Sequence, residues 1–206
     1  MTAIRLVAFD LDGTLTRGDT VCEVIARPLG HLDRMLELER TITDEPGIVA
    51  MREELAGYYR GRSFAELEKC LDGLVLAPGA REAFTLLAAR GVSTAIVTIT
   101  WEFAAQWLAR RLGADHVLAS GLTPDGAITH VFPRDKGRWL SALMQQRGLG
   151  ADEVAVVGDS WLDADMFAVA THRFFVGATP LPDLDARHYP GGDLAEIARV
   201  IVDRCR

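Results

Sequence analysis

Cysteine is scarce in this chain: Cys22, Cys70 and Cys205 are three in 206 residues, widely spaced and odd in number. That pattern argues against a disulfide framework and against a thiolate zinc site. Cys22 and Cys70 fall on apolar faces of expected helices and read as small core residues. Long hydrophobic runs are missing too, none approaching the roughly 20 residues of a membrane span, so no membrane partner is expected. Met1-Thr2-Ala3 leads straight into an apolar strand, without a basic segment followed by a hydrophobic one, so a cytoplasmic location is expected. Basic residues are outnumbered, 22 against 29 acidic ones, for a formal charge of −7. Such a chain lacks the electrostatic footprint of a nucleic-acid binder, and no nucleic-acid partner is expected. Local donors and a metal can still hold a small anion. The five histidines are scattered without metal-ligand spacing, and there is no internal repeat or low-complexity segment.

What is present suits a globular protein with a sizeable core: 49% hydrophobic and 25% charged residues. The length fits one domain with a large insertion, or two small domains. Residues 4–9 read as a buried strand. From Asp19 to about Leu76 the pattern is helical with no convincing strand. Val21, Val24 and Ile25 mark a first helix stopped near Pro28 and Gly30, and Leu32 to Leu38 a second. Asp44-Glu45-Pro46 is a helix start with acids near the positive dipole end. Ser63-Phe64-Ala65-Glu66 is a capping box that opens a fourth helix. A helix over 80–90 follows Pro78-Gly79. Beyond it, strands at 92–98, 116–119, 153–157 and 173–176 alternate with helices near 101–112, 136–147, 162–169 and 193–204. Regular alternation predicts an α/β fold with a doubly wound parallel sheet. Asp125-Gly126, centred in Leu122–Thr129, predicts a hairpin. The expected division is a core of residues 1–15 and 79–206 with a helical cap, residues 16–78, inserted.

Four segments gather the chemistry. Phe9-Asp10-Leu11-Asp12-Gly13-Thr14 puts two carboxylates where a strand ends and the chain turns. Carboxylates held that close raise each other's pKa or recruit a cation. Ala95-Ile96-Val97-Thr98 is a strand ending in a hydroxyl. Arg134-Asp135-Lys136 opens an amphipathic helix. Val154 to Asp163 is a strand entering a turn with Asp159 and Asp163. All four lie at strand ends or helix starts, where open α/β sheets place their ligand crevice. Trp101 and Trp161 each sit within a few residues of a motif. Both are candidates to line the pocket, and helix–sheet packing is the equal alternative.

In this order the segments resemble the haloacid-dehalogenase superfamily of phosphohydrolases, whose signature is DxD, Ser/Thr, Lys and GDxxxD. The helical insertion right after the first motif resembles the phosphoserine-phosphatase-like branch. The resemblance implies a Rossmann-like core, a capping domain, and Mg²⁺-dependent hydrolysis of a small phosphomonoester through an aspartyl-phosphate. Asp10 would be the nucleophile and Asp12 the acid and base. Thr98 would bind a phosphoryl oxygen, and Lys136 would offset charge. Asp10, the backbone carbonyl of Asp12, and Asp159 would hold Mg²⁺, with Asp163 orienting metal waters or Lys136. Two departures count against phosphoserine as substrate. The second motif reads Thr98-Ile99-Thr100 in place of Ser-Gly-Gly. Asp19 stands at the branch's glutamate position, and its arginine position falls near Leu55, with Arg52 and Arg60 about a turn away. Asp19, Arg52, Arg60 and Trp101 are the specificity candidates. A phosphotransferase or phosphomutase shares the chemistry. A phospho-accepting receiver domain is a distant alternative, lacking a helical cap. Dehalogenation would leave Asp12 without a role. A homodimer is left open.

Overall fold

The computed structural model describes residues 2–42 and 44–203, so Cys205 and the last residue of the helix expected over 193–204 lie outside the described residues. Strand β1 (Leu6–Phe9) runs through the middle of a seven-stranded sheet. It pairs in parallel with β4 (Ser93–Trp101) on one side and β7 (Val154–Gly158) on the other. Outward from β4 come β5 (His116–Leu122) in parallel, then β6 (Ile128–Thr129) antiparallel to it. Outward from β7 come β8 (His172–Phe175) and β9 (Arg187–His188), both parallel. The β5–β6 pair is the hairpin expected from Asp125-Gly126.

Helices cover both faces, as a parallel sheet requires. Val7 and Phe9 point into the larger core, which takes in α5 (Ala80–Ala88), α6 (Glu102–Leu112) and α9 (Leu194–Asp203). Leu6 and Ala8 point the other way, into a core with α7 (Pro133–Arg147) and α8 (Ala164–Ala168). The fold is therefore α/β and doubly wound, with a central sheet that is parallel apart from β6.

Between β1 and α5 lie the four expected helices: α1 (Val21–Ala26), α2 (Leu32–Thr41), α3 (Glu45–Tyr59) and α4 (Phe64–Cys70). Asp44 caps α3 by accepting from the Gly47 N–H, and Ser63 and Glu66 form the capping box of α4. Residues 19 to about 76 were expected to hold no convincing strand. In fact β2 (Thr16–Arg17), which falls just before them, and β3 (Val75–Leu76) pair antiparallel where the chain leaves and rejoins the sheet. Two-residue strands carry no readable periodicity. The helix expected at 136 begins at Pro133, a residue preorganised for a first helical position. β4 runs to Trp101, so the next helix starts at Glu102, one residue later than expected. The segment expected as one helix over 162–169 is a short turn at 161–163 followed by α8. Among the described residues no helix is long and apolar enough to cross a membrane.

Candidate active site

Parallel pairing delivers the motif residues to one edge. Phe9 is level with Ile96 on β4 and with Val157 on β7, so the residues after each leave the sheet side by side. The Asp10 N–H still donates to Val157 O at 3.0 Å, which holds the first residue beyond β1 against β7. The chain then turns tightly over Leu11–Leu15, with Gly13 at φ 79°. A Cβ on Gly13 would fall 2.3 Å from Asp159 Oδ2, so two constraints demand glycine: the left-handed backbone and the Asp159 carboxylate lying against it. Arg17 fastens the same turn. Its Nη1 donates to Thr14 O at 2.7 Å and also to Gly13 O. Nothing in the sequence pattern singled Arg17 out, since satisfying turn carbonyls has no spacing rule.

Lys136, on α7, is 1% exposed. Its ammonium donates to Asp10 Oδ1 at 2.6 Å and to Asp163 Oδ1 at 2.7 Å. Burial by itself would lower the pKa of this lysine, but the two carboxylates outweigh it and raise it, so the group is a fixed cation. Asp163 is fully buried and its other oxygen accepts from the Asp159 and Ser160 N–H groups at 3.1 and 3.3 Å. It thus joins Lys136 to the turn that carries Asp159. Gly137, beside the lysine, lets α7 approach α8: a Cβ there would meet Asp165 O at 2.3 Å.

Carboxylate oxygens of Asp10, Asp159 and Asp163 lie within 4.8 Å of one another. Burial, then the Asp163 charge, pushes Asp10 well above the usual carboxylate range against the pull of Lys136. The same two causes push Asp159 up to about 6. Three carboxylates share one ammonium, so the cluster has excess negative charge that a cation would relieve. The donors are all oxygen, which suits a hard divalent ion. The expected Mg²⁺ ligands are an Asp10 oxygen, the Asp12 backbone carbonyl and Asp159. The side-chain cluster joins the two aspartates of that set to Asp163, while the Asp12 carboxylate turns away. Asp12 Oδ1 accepts from the Val21 N–H at the start of α1 at 2.7 Å. Burial pushes Asp12 up to about 6, against that hydrogen bond.

Asp10, Asp12, Thr98 and Lys136 all face one cavity of about 320 Å³. Thr98 was expected at a strand end. It lies inside β4, three residues before Trp101, where the register with β5 shifts between Val97 and Trp101. Thr98 lines the cavity from within the strand, and its Oγ1 also accepts from the Thr100 N–H at 3.2 Å. Helices α2 and α3 and the residue after α2 supply further wall: Glu39, Ile42, Ile48, Met51 and Arg52. Trp101 is buried in the wall, whereas Trp161 is 57% exposed at its rim. Cys22 lines the cavity too, and Cys70 is half-buried away from it; both are free thiols.

The specificity candidates separate. Asp19 does not line the cavity; its carboxylate pairs with Arg27 at the surface. Arg60 is exposed and sits beside the β5–β6 hairpin, and Leu55 is a core residue. Arg52 does reach the cavity. It is nearly fully buried, and its Nη2 donates to Val131 O at 2.7 Å and to Ile99 O. Its Nη1 lies 3.3 Å from His130 Nδ1. Burial pushes its pKa down to about 10.

The model of the haloacid dehalogenase-like hydrolase family matches residues 7–168. A phosphoserine phosphatase of Methanocaldococcus jannaschii is 25% identical over 187 residues, 86% of this chain and 87% of that one. A phosphoserine phosphatase of Campylobacter jejuni is 25% identical over 80% of this chain and 83% of its own length. Among solved structures, a phospho-aspartyl intermediate analogue of phosphoserine phosphatase superposes with a TM-score of 0.80 at 22% identity. That likeness covers 97% of this chain and 100% of the other. A HAD family hydrolase from Salmonella enterica serovar Typhi reaches 0.86 at 20% identity, covering 98% of this chain and 73% of that one. The chain belongs to the haloacid dehalogenase-like hydrolase family and, within it, is a phosphoserine-phosphatase-like enzyme, a hydrolase of the phosphatase type.

Proposed function

We propose that this chain hydrolyses a small organic phosphomonoester other than phosphoserine, with Mg²⁺, through an acyl phosphate on Asp10. The observation that carries the reading is the buried Asp10–Lys136–Asp163 assembly at the end of β1, beside the cavity. Lys136 holds Asp10 Oδ1, which fixes the carboxylate while an oxygen attacks phosphorus in line. As the new P–O bond forms, the bond to the leaving oxygen breaks and its electron pair departs with that oxygen. Asp12, with Oδ1 tied to Val21 and a pKa near 6, delivers a proton there. Asp12 then takes a proton from the water that attacks phosphorus and frees Asp10. Thr98 and the backbone N–H groups of the 11–15 turn donate to phosphoryl oxygens. Mg²⁺, bound by Asp10, Asp159 and the Asp12 backbone carbonyl, would neutralise charge on those oxygens. Asp163 acts by holding Lys136.

The domain division supports this reading: residues 1–15 and 79–206 carry the chemistry, and the helices of 16–78 act as a cap that excludes water and selects the leaving group. Specificity follows from that wall. An α-amino acid needs above all a clamp for its carboxylate, and the resemblance puts its amine acceptor at Asp19. Arg52 Nη2 is already committed to two carbonyls, and Asp19 lies outside the cavity. Ile42, Ile48, Met51 and Trp101 make most of the remaining wall apolar. In a panel of phosphomonoesters with Mg²⁺, phosphoserine is expected not to rank first. A kcat/KM for phosphoserine roughly tenfold above every other ester would overturn this, because such ratios report differential transition-state binding.

A further inference from the structure

We propose that Glu39 is a specificity-determining residue of this site, its carboxylate accepting a hydrogen bond from a donor, hydroxyl or ammonium, on the leaving group. The inference rests on the phosphatase reading above and adds the feature the substrate must carry. Glu39 stands near the end of α2 and lines the same cavity as Asp10, Asp12 and Thr98. It is half-buried, and the Glu23 and Asp12 carboxylates lie near enough to act on its charge. Arg34, on the same helix, pairs with Glu37 and Glu54 instead. Thr20 Oγ1 donates to Glu39 Oε1 at 3.1 Å. A carboxylate has about four acceptor sites, so this leaves capacity facing the cavity. Burial, then the Glu23 charge, pushes Glu39 up to about 7.

A half-buried carboxylate in a mostly apolar wall gains from a second donor. Ligand pockets use this design: mostly apolar surface, with a few polar groups that set orientation and choice. A donor on the leaving group would satisfy Glu39, whereas a substrate lacking one would leave the carboxylate desolvated without that second donor. That asymmetry gives stronger discrimination than apolar fit alone.

Three matched esters test it with the Mg²⁺-loaded protein: propyl, hydroxypropyl and aminopropyl phosphate. The wild type is expected to favour a donor-bearing ester over propyl phosphate by about tenfold in kcat/KM, the size of one hydrogen bond to a charged group. Glu39→Leu is expected to bring that ratio close to one, chiefly through KM. Glu39→Gln keeps an acceptor but no charge, so it preserves a preference for the hydroxyl ester and loses one for the ammonium ester. Orthovanadate inhibition and thermal melting check that the variants keep a folded phosphoryl site. A flat ratio in the wild type, or one unchanged in Glu39→Leu, overturns the proposal. Hydrolysis of propyl phosphate reports separately on the phosphatase reading; if none of the three esters is cleaved, that reading falls and this inference with it.

Discussion

Asp10→Asn should fold as well as the wild type and turn over nothing. A carboxamide cannot form the acyl phosphate that a carboxylate can, so kcat should fall by far more than about a hundredfold, a barrier increase above ~2.7 kcal/mol. Stability should move the other way. In the folded protein the Asp10 pKa is raised by burial and by Asp163. A carboxyl group with a raised folded pKa binds its proton more tightly when folded, so its ionisation costs stability as pH rises past its unfolded value. Neutral asparagine removes that cost, and Lys136 keeps Asp163 as a partner. The melting temperature of Asp10→Asn near pH 7, measured without metal, is therefore expected to equal or exceed that of the wild type. Loss of activity with a large drop in melting temperature would point to misfolding instead. Retention of more than about a hundredth of wild-type kcat would remove Asp10 from the role of nucleophile.

The second large effect is expected on metal removal. Excess chelator should abolish turnover and Mg²⁺ restore it, with Ca²⁺ a poor substitute because it prefers more ligands and longer bonds. A readout besides activity follows from the charge on the cluster. Carboxylates of Asp10, Asp159 and Asp163 crowd within 4.8 Å around a single ammonium. A bound cation relieves their repulsion in the folded state only, so Mg²⁺ should raise the melting temperature. At a hundred times Kd the linkage is worth about 2.7 kcal/mol. Asp159→Asn should blunt both the rescue of activity and the thermal shift. Full activity in excess chelator would refute the metal requirement.

Much of this site was legible because its residues sit where sequence signals are strongest. Asp10, Asp159 and Lys136 each follow or open a long, strongly patterned element, and parallel pairing of β1 with β4 and β7 brings those ends together. Buried strands and capped helices announce themselves locally, which is why α3 and α4 start as expected at Asp44 and Ser63. What escaped was set by tertiary packing. β2, β3 and β9 are two residues each and gain their pairing only from neighbours distant in sequence. Thr98 lines the cavity from within β4, next to a shift in strand register that no propensity encodes. Asp19 and Arg60 were placed by alignment to a cap, yet Asp19 finds Arg27 on the surface and Arg60 faces the hairpin. Glu39 carried no motif at all; it matters because α2 packs with that position turned toward the phosphoryl site. The direction of the Asp12 carboxylate has the same origin: a backbone N–H at the start of α1 captures it.

The proposed chemistry converges on one bond, between phosphorus and an oxygen of Asp10. Acid quenching during turnover of an ester labelled in its phosphoryl group, followed by peptide mapping, reads that bond directly. The label is expected on the peptide that contains Asp10 and on that carboxylate. Turnover with the label on another side chain, or with none on the protein, would contradict the account.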